Sequence, residues 1–333
     1  VATIKDVALD AGVSTATVSR VLNKDYRVSE AMRSRVFSSI EKLDYRIHPV
    51  ARTLRLGQSK TIGVIIPDMS NFFFMNLFEY MEETLRKNGY TVVLCSSRNS
   101  IEGEIEQLGY LMEKQVDGLV VVPIGTDGLH LSTVIEQGTP VVCVDRTFTD
   151  LPADSVMVDN EEGGYKAVKA LIDDGYRRIG FVGGDLEQMT CYERYLGYCR
   201  ALEEAGISVD EELVSFSGMA MHDGYYSMKE MLGKPNPPEA VFFVNLMICL
   251  GATQYIMEMP KETQDSLVCA SFDDAFFSSL LHRCKYFVSQ PVEEIGELAA
   301  QLVIQRLNRK EVVEATKTIR LNTELIQITH KEV

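Results

Sequence analysis

The sequence predicts a small all-α head carrying a helix-turn-helix, followed by a two-lobed α/β body built on parallel, doubly wound sheets. Three observations predict it. Amphipathic helical patterns fill the first sixty residues, apolar β-branched runs alternate with helical segments in two series from Thr61 onward, and charge divides between the two parts. Residues 1–60 hold eleven Lys/Arg against six Asp/Glu, whereas the whole chain carries −15, so the remainder carries −20. A basic head on an acidic body suits a nucleic-acid partner, although chance clustering on a solvated helical surface would give the same count.

A chain of 333 residues exceeds one ordinary core, so a small domain plus a two-lobed one fits. Its 46% apolar and 24% charged content is that of a folded soluble chain and excludes a disordered one. No apolar run is long enough to span a membrane, and the opening Val1-Ala2-Thr3-Ile4-Lys5-Asp6 lacks the apolar stretch of a secretory signal. Seven scattered cysteines without C-x-x-C spacing read as reduced, structural thiols of a cytoplasmic protein.

In the head, Thr3 can cap a first helix from Ile4 to about Ala11, with Ile4, Val7, Ala8 and Ala11 on one face. Gly12 ends it, because glycine adopts left-handed backbone angles without strain. Ser14 caps a second helix to about Leu22 that turns Val18, Val21 and Leu22 inward. Two helices joined by so short a glycine turn form a helix-turn-helix, whose second member fits a major groove. On that helix Thr15, Ala16 and Thr17 occupy the first turn, Ser19 shares a face with Thr15, and Arg20 shares one with Ala16. Arg20 can offer a guanidinium fork to a guanine edge; an ordinary helical hairpin with Arg20 facing solvent fits the same periodicity. Ser29 caps a third helix with Met32, Val36, Ile40 and Leu43 as its inward stripe.

Between Pro49 and Gly57 lies barely two turns of helix, marginal alone because nucleation is unfavourable. It carries Leu54 between Arg52 and Arg55. Leu54 can wedge between base steps in a minor groove while the arginines hold phosphate, or it can pack on the body.

Several segments together resemble the lactose/galactose repressor family: Thr3-Ile4-Lys5-Asp6-Val7-Ala8, Ala11-Gly12-Val13-Ser14, Thr17-Val18-Ser19-Arg20-Val21-Leu22-Asn23 and Ala51-Arg52-Thr53-Leu54. The resemblance implies a sequence-specific transcriptional regulator, with Arg20 a major-groove reader and Leu54 the minor-groove wedge of a hinge helix. It assigns DNA contact to Ser14, Thr15, Ala16, Thr17, Ser19, Arg20, Asn23, Arg52, Leu54 and Arg55. The expected division is 1–47 for the head, 48–60 for the hinge and 61–333 for the body. The first lobe takes about 61–160 plus 291–320, and the second about 161–289 plus 321–330.

In the body, Ile62–Ile66, Val92–Cys95, Gly118–Val122, Val141–Val144 and Val156–Val158 read as buried strands. A second series follows at Ile179–Val182, Val241–Val244, Leu267–Phe272 and Phe287–Val288, and the run Ile319–Ile328 completes ten candidates. Helices begin near Asn71, Glu102, Leu129, Tyr165, Tyr192, Tyr225 and Met247, with a last one over about Val292–Asn308. Such alternation implies parallel sheets covered on both faces, and two series imply two lobes. Ligands of open α/β sheets bind beyond the carboxyl ends of the strands.

The body also resembles the repressor family, through Ile62-Gly63-Val64-Ile65-Ile66-Pro67-Asp68, Val116-Asp117-Gly118 and Phe272-Asp273-Asp274. The resemblance implies a periplasmic-binding-protein-like pair of lobes closing on a small effector, often a sugar, and working as a homodimer on a pseudo-palindromic operator. It assigns effector contact to Phe73, Phe74, Asp145, Arg146, Thr190, Arg194, Asn245, Asp273 and Gln290. Packing at a helix start also fits the phenylalanines, a structural salt bridge across the cleft fits Arg194, and capping fits the strand-end polar groups. One departure stands out: Leu246 occupies the place where the family has an aspartate that accepts effector hydroxyls. Without it a sugar phosphate becomes an alternative to a plain sugar. The acidic stretch Val292–Gln301 argues against docking a phosphorylated carrier protein there, and the absence of a leucine heptad near Val333 argues against a coiled-coil tetramer.

Catalysis finds no support. Asp273 and Asp274 are adjacent and point apart on an extended chain. The five histidines lack H-x-x-x-H spacing for a metal, and Gly183-Gly184-Asp185 is not a phosphate loop. No cofactor is expected. The alternative to a regulator is a solute-binding protein or receptor, against which the head argues.

Overall fold

The computed structural model describes residues 2–22, 26–45, 58–125, 127–148, 151–308 and 315–328. The chain divides after Ser59 into two compact units.

The head is three helices, α1 (Ile4–Asp10), α2 (Thr15–Leu22) and α3 (Glu30–Lys42). Thr3 and Asp6 form a reciprocal capping box at α1, and Gly12 takes φ +64° in the turn before α2. Ser14 Oγ accepts the Thr17 N–H at 3.1 Å, and Ser29 caps α3. Val7, Ala8, Ala11, Val18, Val21, Val28 and Val36 make a small core, and Lys42 ties α3 to Asp10 of α1 at 2.7 Å. Met32, expected inside, is 40% exposed; α3 needs only Val36 and its neighbours to cover so small a core.

The body carries two six-stranded sheets. The first holds β1 (Thr61–Ile66), β2 (Thr91–Ser96), β3 (Gly118–Val121), β4 (Val141–Val144), β5 (Asp154–Val158) and β11 (Thr318–Leu321), all parallel, in the order β11-β5-β4-β3-β1-β2. The second holds β6 (Ile179–Gly183), β7 (Val214–Phe216), β8 (Ala240–Phe243), β9 (Val268–Phe272), β10 (Cys284–Ser289) and β12 (Glu324–Gln327), in the order β12-β10-β9-β8-β6-β7. The two orders match strand for strand. Helices α4 (Phe72–Lys87), α5 (Ile101–Glu113), α6 (Leu129–Glu136) and α12 (Val292–Asn308) belong to the first lobe. Helices α7 (Asn160–Asp173), α8 (Met189–Glu204), α9 (Met221–Leu232), α10 (Leu246–Met257) and α11 (Lys261–Ser266) belong to the second. Central strands are buried on both faces, as in β3, β4 and β8, which is why they read as unbroken apolar runs.

Four details differ from the sequence reading. The run Ile319–Ile328 is two strands, split at Asn322-Thr323, and each joins a different sheet. β12 pairs antiparallel with β10, so the second sheet is mixed at its edge. The described residues hold twelve strands rather than ten candidates: besides that split, β7 escapes notice because it is short and half-exposed. Helix α7 starts at Asn160 rather than near Tyr165, because its polar first turn hides the apolar period, and α8 and α9 start three to four residues early.

Among the described residues the chain passes between lobes three times, at Asp159, at Gln290-Pro291 and at Asn322-Thr323. The first and third crossings are bonded together, the Asp159 N–H donating to the Leu321 carbonyl at 2.9 Å.

Candidate functional site

In the head, α2 leaves Ser14, Thr15, Ala16 and Arg20 exposed and Thr17 and Ser19 half-buried. Part of this set is structural: Ser14 Oγ holds the Thr17 N–H and lies 2.9 Å from its hydroxyl, which fixes the first turn of the helix. Arg20, in the last turn, has a side chain directed away from the Val18–Val21 core. Asn23, Arg52, Leu54 and Arg55 lie outside the described residues.

In the body, the carboxyl ends of the strands from both lobes converge on one cavity of about 480 Å³. All nine effector residues proposed from sequence line it. Asp145 and Arg146 follow β4, Asn245 follows β8, Asp273 follows β9, and Gln290 occupies the second crossing. Phe73 and Phe74 come from the first turn of α4, edge to face at 5.2 Å, and Thr190 and Arg194 come from α8.

Arg194 is 3% exposed. Its Nε donates to Asn160 Oδ1 at 2.8 Å, Nη1 donates to the Val244 carbonyl at 2.6 Å, and the guanidinium lies 3.6 Å from the centroid of the Phe272 ring. Among the described residues no side-chain carboxylate bonds it, so the expected competitor, a salt bridge across the cleft, is not seen there. Two of its five N–H groups are taken by the protein, and the rest of the fork borders the cavity. Burial pulls its pKa down, opposed by the charges of Asp273 and Asp145.

Asp145 and Asp273 occupy matching places. Each follows the third core strand of its lobe, at φ +69° and +65°, and each donates its N–H to a neighbouring strand, to Val156 and Val288 respectively. Left-handed backbone is uncommon for a residue with a side chain, and such strain gathers at functional sites. Gln290 Nε2 donates to Asp273 Oδ1 at 2.6 Å, and Arg146 Nε lies 3.3 Å from Asp145 Oδ2. Burial raises the Asp273 pKa to about 6, more than Arg194 and Gln290 lower it.

Asn245 is largely structural: its Oδ1 caps α10 through the Ile248 N–H at 2.8 Å, and its Nδ2 reaches the Met219 carbonyl. Leu246, where the family's aspartate was expected, is 3% exposed and does not border the cavity. Sequence reasoning did not name Asp185, Asp223, Met219, Met221 and Met247 as lining residues. Asp185 stood visible at a strand end, whereas the methionines carry no local signal. The lining thus counts five carboxylates, Asp68, Asp145, Asp185, Asp223 and Asp273, against the guanidiniums of Arg146 and Arg194.

Residues 3–47 match the family model described as bacterial regulatory proteins, lacI family, and residues 59–329 match that of periplasmic binding proteins and the sugar binding domain of the LacI family. The chain belongs to the LacI family. It is 35% identical over 312 residues to the transcriptional regulator RegA of Clostridium saccharobutylicum, spanning 93% of this chain and 94% of that one. It is 32% identical over 325 residues to the ribose operon repressor of Haemophilus influenzae, spanning 96% and 98%. A solved complex of the regulator CelR with cellobiose superposes with a TM-score of 0.73 at 27% identity, covering 99% of this chain and all of that one. LacI-family membership makes this chain a DNA-binding transcriptional regulator, and its matched relatives are regulators rather than plain solute receptors. Among the described residues, no helix is long and apolar enough to cross a membrane.

Proposed function

We propose that the protein is a repressor that binds a pseudo-palindromic operator as a homodimer and is controlled by a neutral, polyhydroxylated effector, a sugar, in the interlobe cleft. Residues 1–47 read the DNA, with Ser14, Thr15, Ala16, Thr17, Ser19, Arg20 and Asn23 at the groove. The segment 48–60, with Arg52, Leu54 and Arg55, forms the hinge on the duplex. The body, 61–333, holds the effector between lobes spanning about 61–160 plus 291–320 and about 161–289 plus 321–330.

The observation that carries the effector assignment is the charge of the cleft. Hydroxyls can donate to Asp145 and Asp273 and accept from Arg146, Arg194 and Gln290, and one face of a sugar ring can lie on Phe73 and Phe74. Five carboxylates against two guanidiniums disfavour a phosphate, so the loss of an acid at Leu246 does not convert the cleft into an anion site. Effector closure would rotate the lobes and change the order of the hinge, coupling cleft to operator. A calorimetric screen of ribose, cellobiose and their phosphorylated forms tests the assignment. Neutral sugars are expected to bind and phosphorylated ones to fail; binding of phosphorylated forms alone would overturn it.

A further inference from the structure

We infer that Asn160, Glu193 and Arg320 are positioning residues that tie the cleft arginine, Arg194, to the edge strand of the opposite lobe. Asn160 is fully buried at the first crossing between lobes. Its Oδ1 accepts from Arg194 Nε at 2.8 Å, and its Nδ2 donates to Glu193 Oε2 at 3.2 Å. Glu193 in turn takes a two-pronged grip from Arg320, at 2.8 Å to Oε1 and 3.1 Å to Oε2. Glu193 stands on α8 of the second lobe, whereas Arg320 stands on β11 of the first. The relay therefore crosses between lobes, and its far end is the group that faces the cavity.

Close packing makes the second-lobe side of the joint a single piece. Helices α7 and α8 are locked together: a Cβ on Gly164 would stand 2.6 Å from the Arg194 carbonyl oxygen, and one on Gly197 would stand 2.2 Å from that of Glu161. Asn160, Glu193 and Arg194 thus stand as one packed piece, which meets the other lobe at the Glu193–Arg320 fork and where Asn160 Nδ2 reaches the Val158 carbonyl of β5 at 3.4 Å.

The inference rests on the reading of the protein as a DNA-binding regulator, and the experiment separates the two. The full chain is first used to select a duplex from a random pool, which tests that reading alone. Operator affinity is then measured for Glu193→Gln, Arg320→Gln and the double variant. Arg200→Gln is the control: it breaks a comparable ion pair to Glu161 and Glu162 that stays within the second lobe. Simultaneous engagement of two half-sites needs one lobe orientation, so each single variant should weaken operator binding at least about fivefold. The double variant should be no worse than either single, and Arg200→Gln should lose melting temperature without losing affinity. Unchanged operator affinity in the folded single variants, or an equal loss in Arg200→Gln, would overturn the inference. If Arg320→Gln does not fold, Arg320→Lys, which keeps the charge but not the fork, should give an intermediate loss, and wild-type affinity there would also overturn it.

Discussion

Asp273 shows how a single carboxyl can combine an uncommon backbone angle with a raised pKa. It sits at a left-handed backbone angle, bonded by Gln290, with burial raising its pKa from 3.8 to about 6. A raised acid is more readily protonated folded than unfolded, so its ionisation opposes folding. Stability from this group is full below about pH 4 and falls as pH rises through 6, by about 3 kcal/mol in all for two pKa units. Asp273→Asn should therefore flatten the pH dependence of melting between 4 and 6 and raise the melting temperature at pH 7. Retention of the wild-type pH slope in the variant would show that another group titrates there. Sugar affinity should run the opposite way, rising as pH passes 6, because the carboxylate is the better acceptor. None of this is visible locally in the sequence. Phe272-Asp273-Asp274 marks a strand end, but neither the backbone angle nor the burial of the carboxyl follows from neighbouring residues. At Arg194 the family resemblance pointed to the cleft, and the partners that hold it, Asn160 and the Val244 carbonyl, lie 34 and 50 residues away.

At the scale of elements, buried strands were legible because every residue of β3, β4 and β8 is inside, and a continuous run of β-branched and aromatic residues has few other uses. Edge strands were not. β7 and β11 are half-exposed, so their composition resembles that of loops, and the division of Ile319–Ile328 is dictated by tertiary pairing alone. Helix packing is a further element property hidden from sequence: Gly197 is required because α7 passes so close that no Cβ fits. Gly197→Ala should cost about 1–3 kcal/mol through overpacking and displace α8, lowering the melting temperature by several degrees in a thermal scan. A variant as stable as the parent would mean that the two helices can part freely. In the head, Ser14→Ala removes the oxygen that caps α2, which should destabilise that unit by about 1 kcal/mol in chemical denaturation.

Across the whole molecule, a basic head and an acidic body joined in one chain assign DNA to the first and the small ligand to the second. The body repeats one strand order in two lobes, which places Asp145 and Asp273 as counterparts facing a shared cleft. Three crossings among the described residues join the lobes beside that cleft, and a regulator of the proposed kind needs a site whose occupancy biases one of two states. The most direct measurement is sequence-resolved binding of the full chain and of Arg20→Ala to a randomised duplex library across a salt series. The wild-type chain should enrich a two-fold symmetric site with affinity that falls steeply as salt rises, and Arg20→Ala should lose about 1–3 kcal/mol of discrimination at one base pair of each half-site. Enrichment of no site, or the same preferences from both proteins, would contradict the account.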